Sequence, residues 1–261
     1  MRAPTLAVAL LAFTAALLPA QDIAGHLSAA EAARCRRNPQ EALAHLRAAL
    51  ALDSLHYEAN WRAARELTDI GKMMPDAQRA QRAQRDTVYA EARSPAERAV
   101  RVNANGADGH YMVAVAVGRV ALTKGARERV RYSRVVRDEA LRATELNPRH
   151  DGALHVLGRW NAEIMRLPGV TKFFAKTFLG ASIFNQASWD NAVRYFTEAI
   201  ATNPNHINHH LELAKTLIDA DREAEARPHL EQIATMEPAC DPQDPEYKRQ
   251  AAATLARLNR R

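Results

Sequence analysis

Motifs of enzyme active sites are lacking in this chain of 261 residues. It has no G-x-S-x-G nucleophile elbow, no Walker loop and no glycine-rich strand-to-helix turn. Glycine (10) and proline (12) are modest and β-branched runs are scarce, whereas Ala, Leu, Arg and Glu, which lose little entropy in a helix, dominate. The sequence therefore predicts an all-α protein that is not an enzyme and needs no cofactor.

Cysteine is almost absent: Cys35 and Cys240 are the only two, and they lie near opposite ends of the chain. A disulfide would bring their Cα atoms within about 7 Å of each other, which an elongated repeat protein would forbid. Export would make such a bridge chemically possible. We nevertheless expect two unpaired, partly buried thiols.

A large excess of charge of one sign is also lacking. The 36 basic and 30 acidic residues are intermixed and leave a formal net charge of +6. Proteins that bind nucleic acid usually carry a concentrated basic stripe on a recognisable module, and the sequence has neither feature. The composition therefore argues against a nucleic-acid partner.

The N-terminus has the pattern of a secretory signal peptide. A positive end at Arg2 precedes an apolar run from Leu6 to Leu18, and the small residue Ala20 precedes Gln21. The run is shorter than the roughly 20 apolar residues that span a bilayer. We predict that residues 1–20 are a cleaved signal peptide and that residues 21–261 act in the periplasm or cell envelope. An uncleaved membrane anchor is the alternative.

An internal repeat organises the rest of the chain. Its unit is a small residue, a bulky residue one turn later and a proline that closes the helix. The members are Ala192, Phe196 and Pro204, and 34 residues later Ala226, Leu230 and Pro238. A period of 34 residues is that of the tetratricopeptide repeat, a helical hairpin.

Weaker copies of the same spacing begin at Ala42, Ala92 and Ala140. Each copy ends a predicted second helix, and the predicted first helices that follow cover 57–71, 107–124, 151–166 and 207–220. A helix over 245–259 would cap the stack. The sequence thus predicts a tetratricopeptide-like α-solenoid of about five repeats with insertions, whose first helices line a concave groove.

The largest insertion, residues 167–187, contains four of the six phenylalanines. We expect it to form a short extra helix that packs on the solenoid. The alternative is a flap that touches a membrane or a partner.

Several segments between residues 40 and 240 carry a resemblance to one family. They are Asn60–Arg65, Gly109–Tyr111, His155–Trp160 and Leu179–Gly180. With the long, uneven repeats, they make the chain similar to the regulator of microtubule dynamics family. The resemblance implies an all-α, non-enzymatic, protein-binding protein; animal members are linked to microtubules and organelle membranes. An exported bacterial relative would meet no tubulin, so only the fold and the binding character carry over.

Aligned first helices predict which residues line the groove. One column has aromatic or apolar members and the next, one turn along, is mainly basic, which suits an acidic or carboxylate-ended peptide. The predicted groove residues are Trp61, Arg65, Tyr111, His155, Arg159, Leu211 and Lys215. The alternative is that Trp61 and Tyr111 lie in the core and that the basic residues pair with nearby acidic ones, such as Glu66 or Glu163.

A histidine group offers a competing chemical hypothesis. His206, His209 and His210 lie within about two helical turns, and Glu212 is close by. They could hold a metal in a metal-dependent enzyme. The pattern is not H-E-x-x-H, however, so we expect solvated turn histidines and no metal site.

These observations favour a non-enzymatic adaptor or scaffold that docks a protein segment in its groove. The first alternative is a membrane-peripheral organiser anchored by an uncleaved N-terminus or by the insertion at 167–187.

Overall fold

The computed structural model describes residues 22–168 and 182–260, which contain eleven α-helices and no strand. The helices are α1 (Ile23–Cys35), α2 (Pro39–Leu52), α3 (Tyr57–Met73), α4 (Arg79–Val102), α5 (Ala107–Ala121), α6 (Ala126–Leu146), α7 (Asp151–Arg166), α8 (Trp189–Thr202), α9 (Ile207–Asp219), α10 (Glu223–Thr235) and α11 (Asp244–Leu258). A short 3-10 helix (Ser182–Gln186) precedes α8. The predicted signal peptide and most of the 167–187 insertion lie outside the described residues. In the described part, no helix is both long and apolar enough to span a bilayer.

The helices pack as five consecutive hairpins, α1/α2, α3/α4, α5/α6, α7/α8 and α9/α10, followed by α11. Each hairpin also packs on the next, and the first helices α3, α5, α7 and α9 contact one another in order. This ordered contact places the first helices along one inner wall. The predicted all-α solenoid of about five repeats is therefore confirmed.

A short turn repeated along the chain connects one hairpin to the next. Asn147 ends α6, and its side-chain oxygen accepts a hydrogen bond from the Arg149 N–H at 3.0 Å. Three residues after Asn147, His150 opens α7, where its Nδ1 accepts from the Ala153 N–H at 3.1 Å. The turn from Asp53 to His56 has the same two bonds. These side chains satisfy backbone groups that a helix end leaves free.

The small residues of the repeat lie at the helix crossings. Ala42, Ala92, Ala140, Ala192 and Ala226 are all fully buried in the second helices. Phe196, one turn after Ala192, is fully buried against α7, where a Cβ on Gly158 would lie 3.0 Å from its ring. Small residues let the backbones approach and the bulky residue fills the space beside them.

A pair of glycines tests this packing. A Cβ at Gly71 would lie 2.4 Å from the ring of buried Tyr89, whereas a Cβ at Gly118 would lie 3.6 Å from Val136, an ordinary contact. Gly71→Ala is expected to lower the free energy of unfolding by about 1–3 kcal/mol because the ring must move. Gly118→Ala, in the interior of α5, is expected to raise it by up to about 1 kcal/mol. Urea denaturation measures both variants. Equal changes of the same sign in the free energy of unfolding would contradict the difference in packing around Gly71 and Gly118.

The expectation of two unpaired thiols is wrong. Cys35 and Cys240 form a disulfide, with their Cα atoms 4.0 Å apart. The hairpins curve so far that the segment between α10 and α11 returns beside the turn after α1. Arg37 in that turn donates a hydrogen bond to the Pro238 carbonyl at 3.2 Å. The assumption of an elongated stack fails because the curvature brings the two ends together.

The C-terminal helix predicted over 245–259 is α11. Its buried residues Ala251 and Leu258, with half-buried Tyr247 and Leu255, pack on the apolar cluster of α9 and α10. The helix covers the apolar edge of the last hairpin and also reaches the inner side of the curve, where it contributes to the candidate site.

Candidate functional site

Two adjoining cavities lie on the concave side of the stack. The central cavity, of about 330 Å³, lies between α3, α4 and α5 on one side and α7, α9 and α11 on the other. A more open trough of about 580 Å³ runs between α7, α9 and α11. Arg159, Glu212, Lys215 and Gln250 line both. The concave surface is therefore rich in charged side chains.

Arg159 and Lys215 are the two predicted groove residues that line these cavities. The Arg159 guanidinium lies 3.6 Å from Glu212 and 3.1 Å from Glu163. Lys215 Nζ lies 3.0 Å from Glu212 and 2.9 Å from the side-chain oxygen of Gln250. Burial alone would raise the pKa of Glu212, but Arg159 and Lys215 hold it below its usual range. The buried carboxylate thus fixes two partly exposed cations at the boundary between the cavities.

Trp61 and Arg65 do not line either cavity. Arg65 pairs with Glu66 at 2.9 Å and with Glu31 of α1 at 3.1 Å. The Trp61 ring lies under the guanidinium groups of Arg62 and Arg65, 5.5 and 5.3 Å from its centroid. Pairing of Arg65 with Glu66, the alternative considered from the sequence, is what the structure contains.

Tyr111, His155 and Leu211 lie between hairpins. The Tyr111 ring is 4.8 Å from that of His150, and burial raises the pKa of its hydroxyl to about 12. His155 packs edge-on against Phe196, with ring centroids 5.2 Å apart. Leu211 is fully buried in the core around α9, so its predicted place in the groove is wrong. Of the seven predicted residues, the structure brings only Arg159 and Lys215 together at the cavities.

Sequence reasoning missed several residues of the central cavity. Lys72 and Arg119 line it, as do Tyr89 of α4 and Tyr247 of α11. Lys72 is seven positions after Arg65, and Arg119 is eight after Tyr111, so both lie two turns along the predicted helix faces. Extending the columns by two turns would have found them. Nothing in the repeat pattern indicates that α11 faces the same space.

Buried ion pairs support the wall that carries Lys72. Asp69 lies 2.7 Å from Arg34 of α1 and 2.8 Å from Lys72, and Arg34 also contacts Glu66 at 3.1 Å. Burial alone would raise the pKa of Asp69, but Lys72 and Arg34 lower it far below its ordinary value. This network fixes the first hairpin to the second and holds the Lys72 ammonium in place.

Arg119 differs from the other cations of the central cavity. Its guanidinium lies 5.9 Å from the Tyr89 ring centroid. Lys72, Arg85, Arg159 and Lys215 all have carboxylate partners. Arg119 has no such partner among the described residues. It can therefore offer its N–H groups to an anionic group that enters the cavity.

The histidine group is buried, and the prediction of solvated histidines is wrong for His209 and His210. His209 Nδ1 lies 2.9 Å from His155 Nδ1, and its Nε2 lies 3.0 Å from Asp151 of the neighbouring hairpin. His206 stacks on His209 with ring centroids 4.0 Å apart. In the described chain, no group of three or more potential ligands is arranged to hold a metal ion. His209 packs α9 against α7, and His210 packs α9 against α10.

Comparison with known proteins identifies a matching family and a protein of similar fold. Residues 27–259 match the family model "Regulator of microtubule dynamics protein 1-3". The chain is 25% identical over 154 residues to Regulator of microtubule dynamics protein 1 of Bos taurus and of Mus musculus. The alignments cover 59% of this chain but 47% and 48% of those proteins, about half their length.

The fold is similar to that of a thermophilic TPR protein in Thermus thermophilus. The TM-score is 0.64, with 16% sequence identity, and the match covers 90% of this chain and 99% of that one. At this identity the likeness supports the tetratricopeptide fold alone.

Proposed function

Since this chain belongs to the regulator of microtubule dynamics protein 1-3 family and has a tetratricopeptide-type fold, we propose that it is a non-enzymatic scaffold that docks an acidic protein segment on its concave side. A stack of helical hairpins presents one continuous inner wall, and proteins of this architecture use that wall to bind partners. The family and the fold support an interaction module; the acidic segment is the finer part of the proposal.

The observation that carries the proposal is the charge of the trough between α7, α9 and α11. Arg159, Arg166 and Lys215 line it, each with a carboxylate within 4 Å. Arg257, on α11, lines the same trough and is exposed. In the described part of the chain no carboxylate pairs with Arg257. A carboxylate of a partner would supply charge-assisted hydrogen bonds to this group.

Photo-crosslinking in cells tests the proposal. A photoreactive residue at Ala253, which lines the trough, is expected to capture a partner, and Arg257→Glu is expected to reduce the yield about tenfold because a like charge replaces the attraction. Arg257 is exposed, so the substitution leaves the core intact. Mass spectrometry identifies the captured protein.

The matched control is a charge reversal outside the trough. Arg47→Glu changes an exposed arginine of α2, and the yield from Ala253 is expected to stay the same. A crosslinker at Ala44, exposed on α2, is expected to capture nothing specific. Equal capture with Arg257→Glu and wild type would contradict an acidic partner in the trough.

We also propose that the protein acts in the cell envelope. The apolar N-terminal segment supports this location, and so does the Cys35–Cys240 disulfide, because disulfides persist in oxidising compartments. A mature N-terminus at Gln21, measured by mass spectrometry of the native protein, is the expected result. A membrane-peripheral role would depend on residues 1–20 or on the insertion, which lie mostly outside the described residues.

A further inference from the structure

The two ends of the curved stack meet at a single junction. Cys35 ends α1, and Cys240 lies before α11, 205 positions later. The hydrogen bond from Arg37 to the Pro238 carbonyl lies beside the disulfide, and the charges of Arg34 and Asp241 attract each other across the same junction. Among the described residues, no other hydrogen bond or ion pair joins the first hairpin to the chain after α10. The disulfide is therefore the main link that closes the curved stack of hairpins into a ring.

The walls of the central cavity interact with each other only through longer-range charge, such as that of Lys72 near Tyr247, among the residues that the structure describes. Lys72, Arg85 and Arg119 form one wall, and Tyr247 and Gln250 of α11 form part of the opposite wall. Within the described ranges, no hydrogen bond or ion pair crosses from α3, α4 or α5 to α11. Repeats of a solenoid contact mainly their neighbours, so small rotations at each junction add up to a large movement of the ends. The width of the cavity therefore depends on the closure at Cys35.

Opening of the ring would move the C-terminal part as a unit. The apolar residues of α11 pack on α9 and α10, and Lys215 of α9 is hydrogen-bonded to Gln250 of α11. These contacts do not involve the first hairpin. Cys35 is an exposed residue, so a reductant can approach this end of the bridge from solvent. Reduction would thus release the junction without disturbing the last hairpin.

We propose that the Cys35–Cys240 disulfide acts as a redox-controlled clasp: when oxidised it holds the two ends of the stack together and keeps the central cavity narrow, and when reduced it lets the cavity widen. In the oxidised form the central cavity has a volume of about 330 Å³, at the low end of the range of small-ligand pockets. A dithiol reductant transfers two electrons and two protons: the S–S bond breaks, two thiols form and the reductant becomes a disulfide. The open ring then admits the partner segment to Arg119. This last step rests on the proposed function; the opening itself does not.

The opening is tested without a partner. Small-angle X-ray scattering is applied to the oxidised protein, the protein reduced with dithiothreitol and the Cys35→Ser/Cys240→Ser variant. The radius of gyration of both bridge-free forms is expected to increase. Tyr247, which lines the cavity, is expected to be nitrated by tetranitromethane at least about threefold faster, because its exposure rises. Arg37→Ala, which removes the neighbouring hydrogen bond but keeps the bridge, is the matched control and is expected to behave as the oxidised protein.

Two outcomes overturn the clasp. One is an unchanged radius and nitration rate in a bridge-free form that keeps its helical circular dichroism. The other is loss of that helical signal on reduction, because the bridge would then be required for folding. Crosslinking from Leu122, which lines the central cavity beside Arg119 and not the trough, tests access by the partner: higher capture in the Cys35→Ser/Cys240→Ser variant supports the gate. Capture that is equal with and without the bridge, in a ring shown to open, refutes the gate and leaves the proposed function intact.

Discussion

Replacing Asp69 by alanine is expected to lower the free energy of unfolding by about 3–5 kcal/mol, because removing one partner of a buried ion pair leaves the other charge uncompensated. The Asp69 side chain is almost fully buried and lies 2.7 Å from Arg34 and 2.8 Å from Lys72. Arg34 keeps Glu66, at 3.1 Å, but Lys72 has no second carboxylate within 4 Å in the described part of the chain. The variant therefore leaves an ammonium group facing the cavity without its counter-ion.

An exposed ion pair of the same length provides the control. Arg47 of α2 and Glu91 of α4 are also 2.7 Å apart, but their side chains are 59% and 50% exposed. Glu91→Ala is expected to cost less than about 1 kcal/mol because water screens the pair. Urea denaturation at neutral pH measures both variants. If Asp69→Ala and Glu91→Ala lowered the free energy of unfolding equally, burial would not explain the contribution of the Asp69 network to stability.

Local signals were sufficient to predict the hairpins. The first helices expected over 57–71, 107–124, 151–166 and 207–220 correspond to α3, α5, α7 and α9, whose bounds differ from these by at most three residues. The reason is that each boundary is coded within a few residues: a small residue and a bulky one fix the crossing, and an Asn or Asp turn ends the helix.

The closure of the ring could not be predicted in the same way. It depends on the angle between successive hairpins, which is set by side-chain packing at each junction and accumulates over five units. Small errors in that angle decide whether Cys35 and Cys240 meet. The spacing of residues along the chain contains no direct measure of it, so the sequence allowed both an elongated stack and a ring.

Only part of the site could be predicted, because the rest also depends on how the helices pack. Arg159 and Lys215 follow from the position of the basic column, but Arg65 in the same column pairs with Glu31, which α1 supplies. The prediction for Leu211 was wrong because a small rotation about the axis of α9, less than the angle between two consecutive residues, turns a groove position into a core position. Tyr247 was missed because only the curvature brings α11 to the cavity.

Acidification from about pH 7.5 to about pH 5 is expected to destabilise the protein by at least about 2 kcal/mol, because His206 has a lowered folded-state pKa. Burial, and then repulsion by the neighbouring His209, lowers the pKa of His206 to about 4 despite nearby aspartates. The ordinary value of about 6.5 applies to the unfolded chain. Between these two values the unfolded state binds more protons, so stability is retained above about pH 6.5 and is lost as the pH falls toward 4.

Other histidines act in the same direction. Burial and the neighbouring His209 lower the pKa of His155 well below 6.5, and burial also lowers the pKa of His210 and His229. His210 Nδ1 and His229 Nδ1 are 3.1 Å apart, so one of the two must remain an acceptor. The affected contacts join α7 to α9 and α9 to α10, and we therefore expect acid to loosen the C-terminal half before carboxylates titrate.

The variant His206→Asn separates this effect from general acid unfolding. His206 occupies the position before α9, where Asn is a favoured residue, so stability at about pH 7.5 is expected to change by less than about 1 kcal/mol. Asn does not titrate, and the loss of stability between about pH 6.5 and 4.5 is expected to be about 2 kcal/mol smaller than in the wild type. Urea denaturation as a function of pH measures both. A wild type whose stability is flat down to about pH 4.5, or a variant with the same slope, would show that the buried histidines do not govern the acid response.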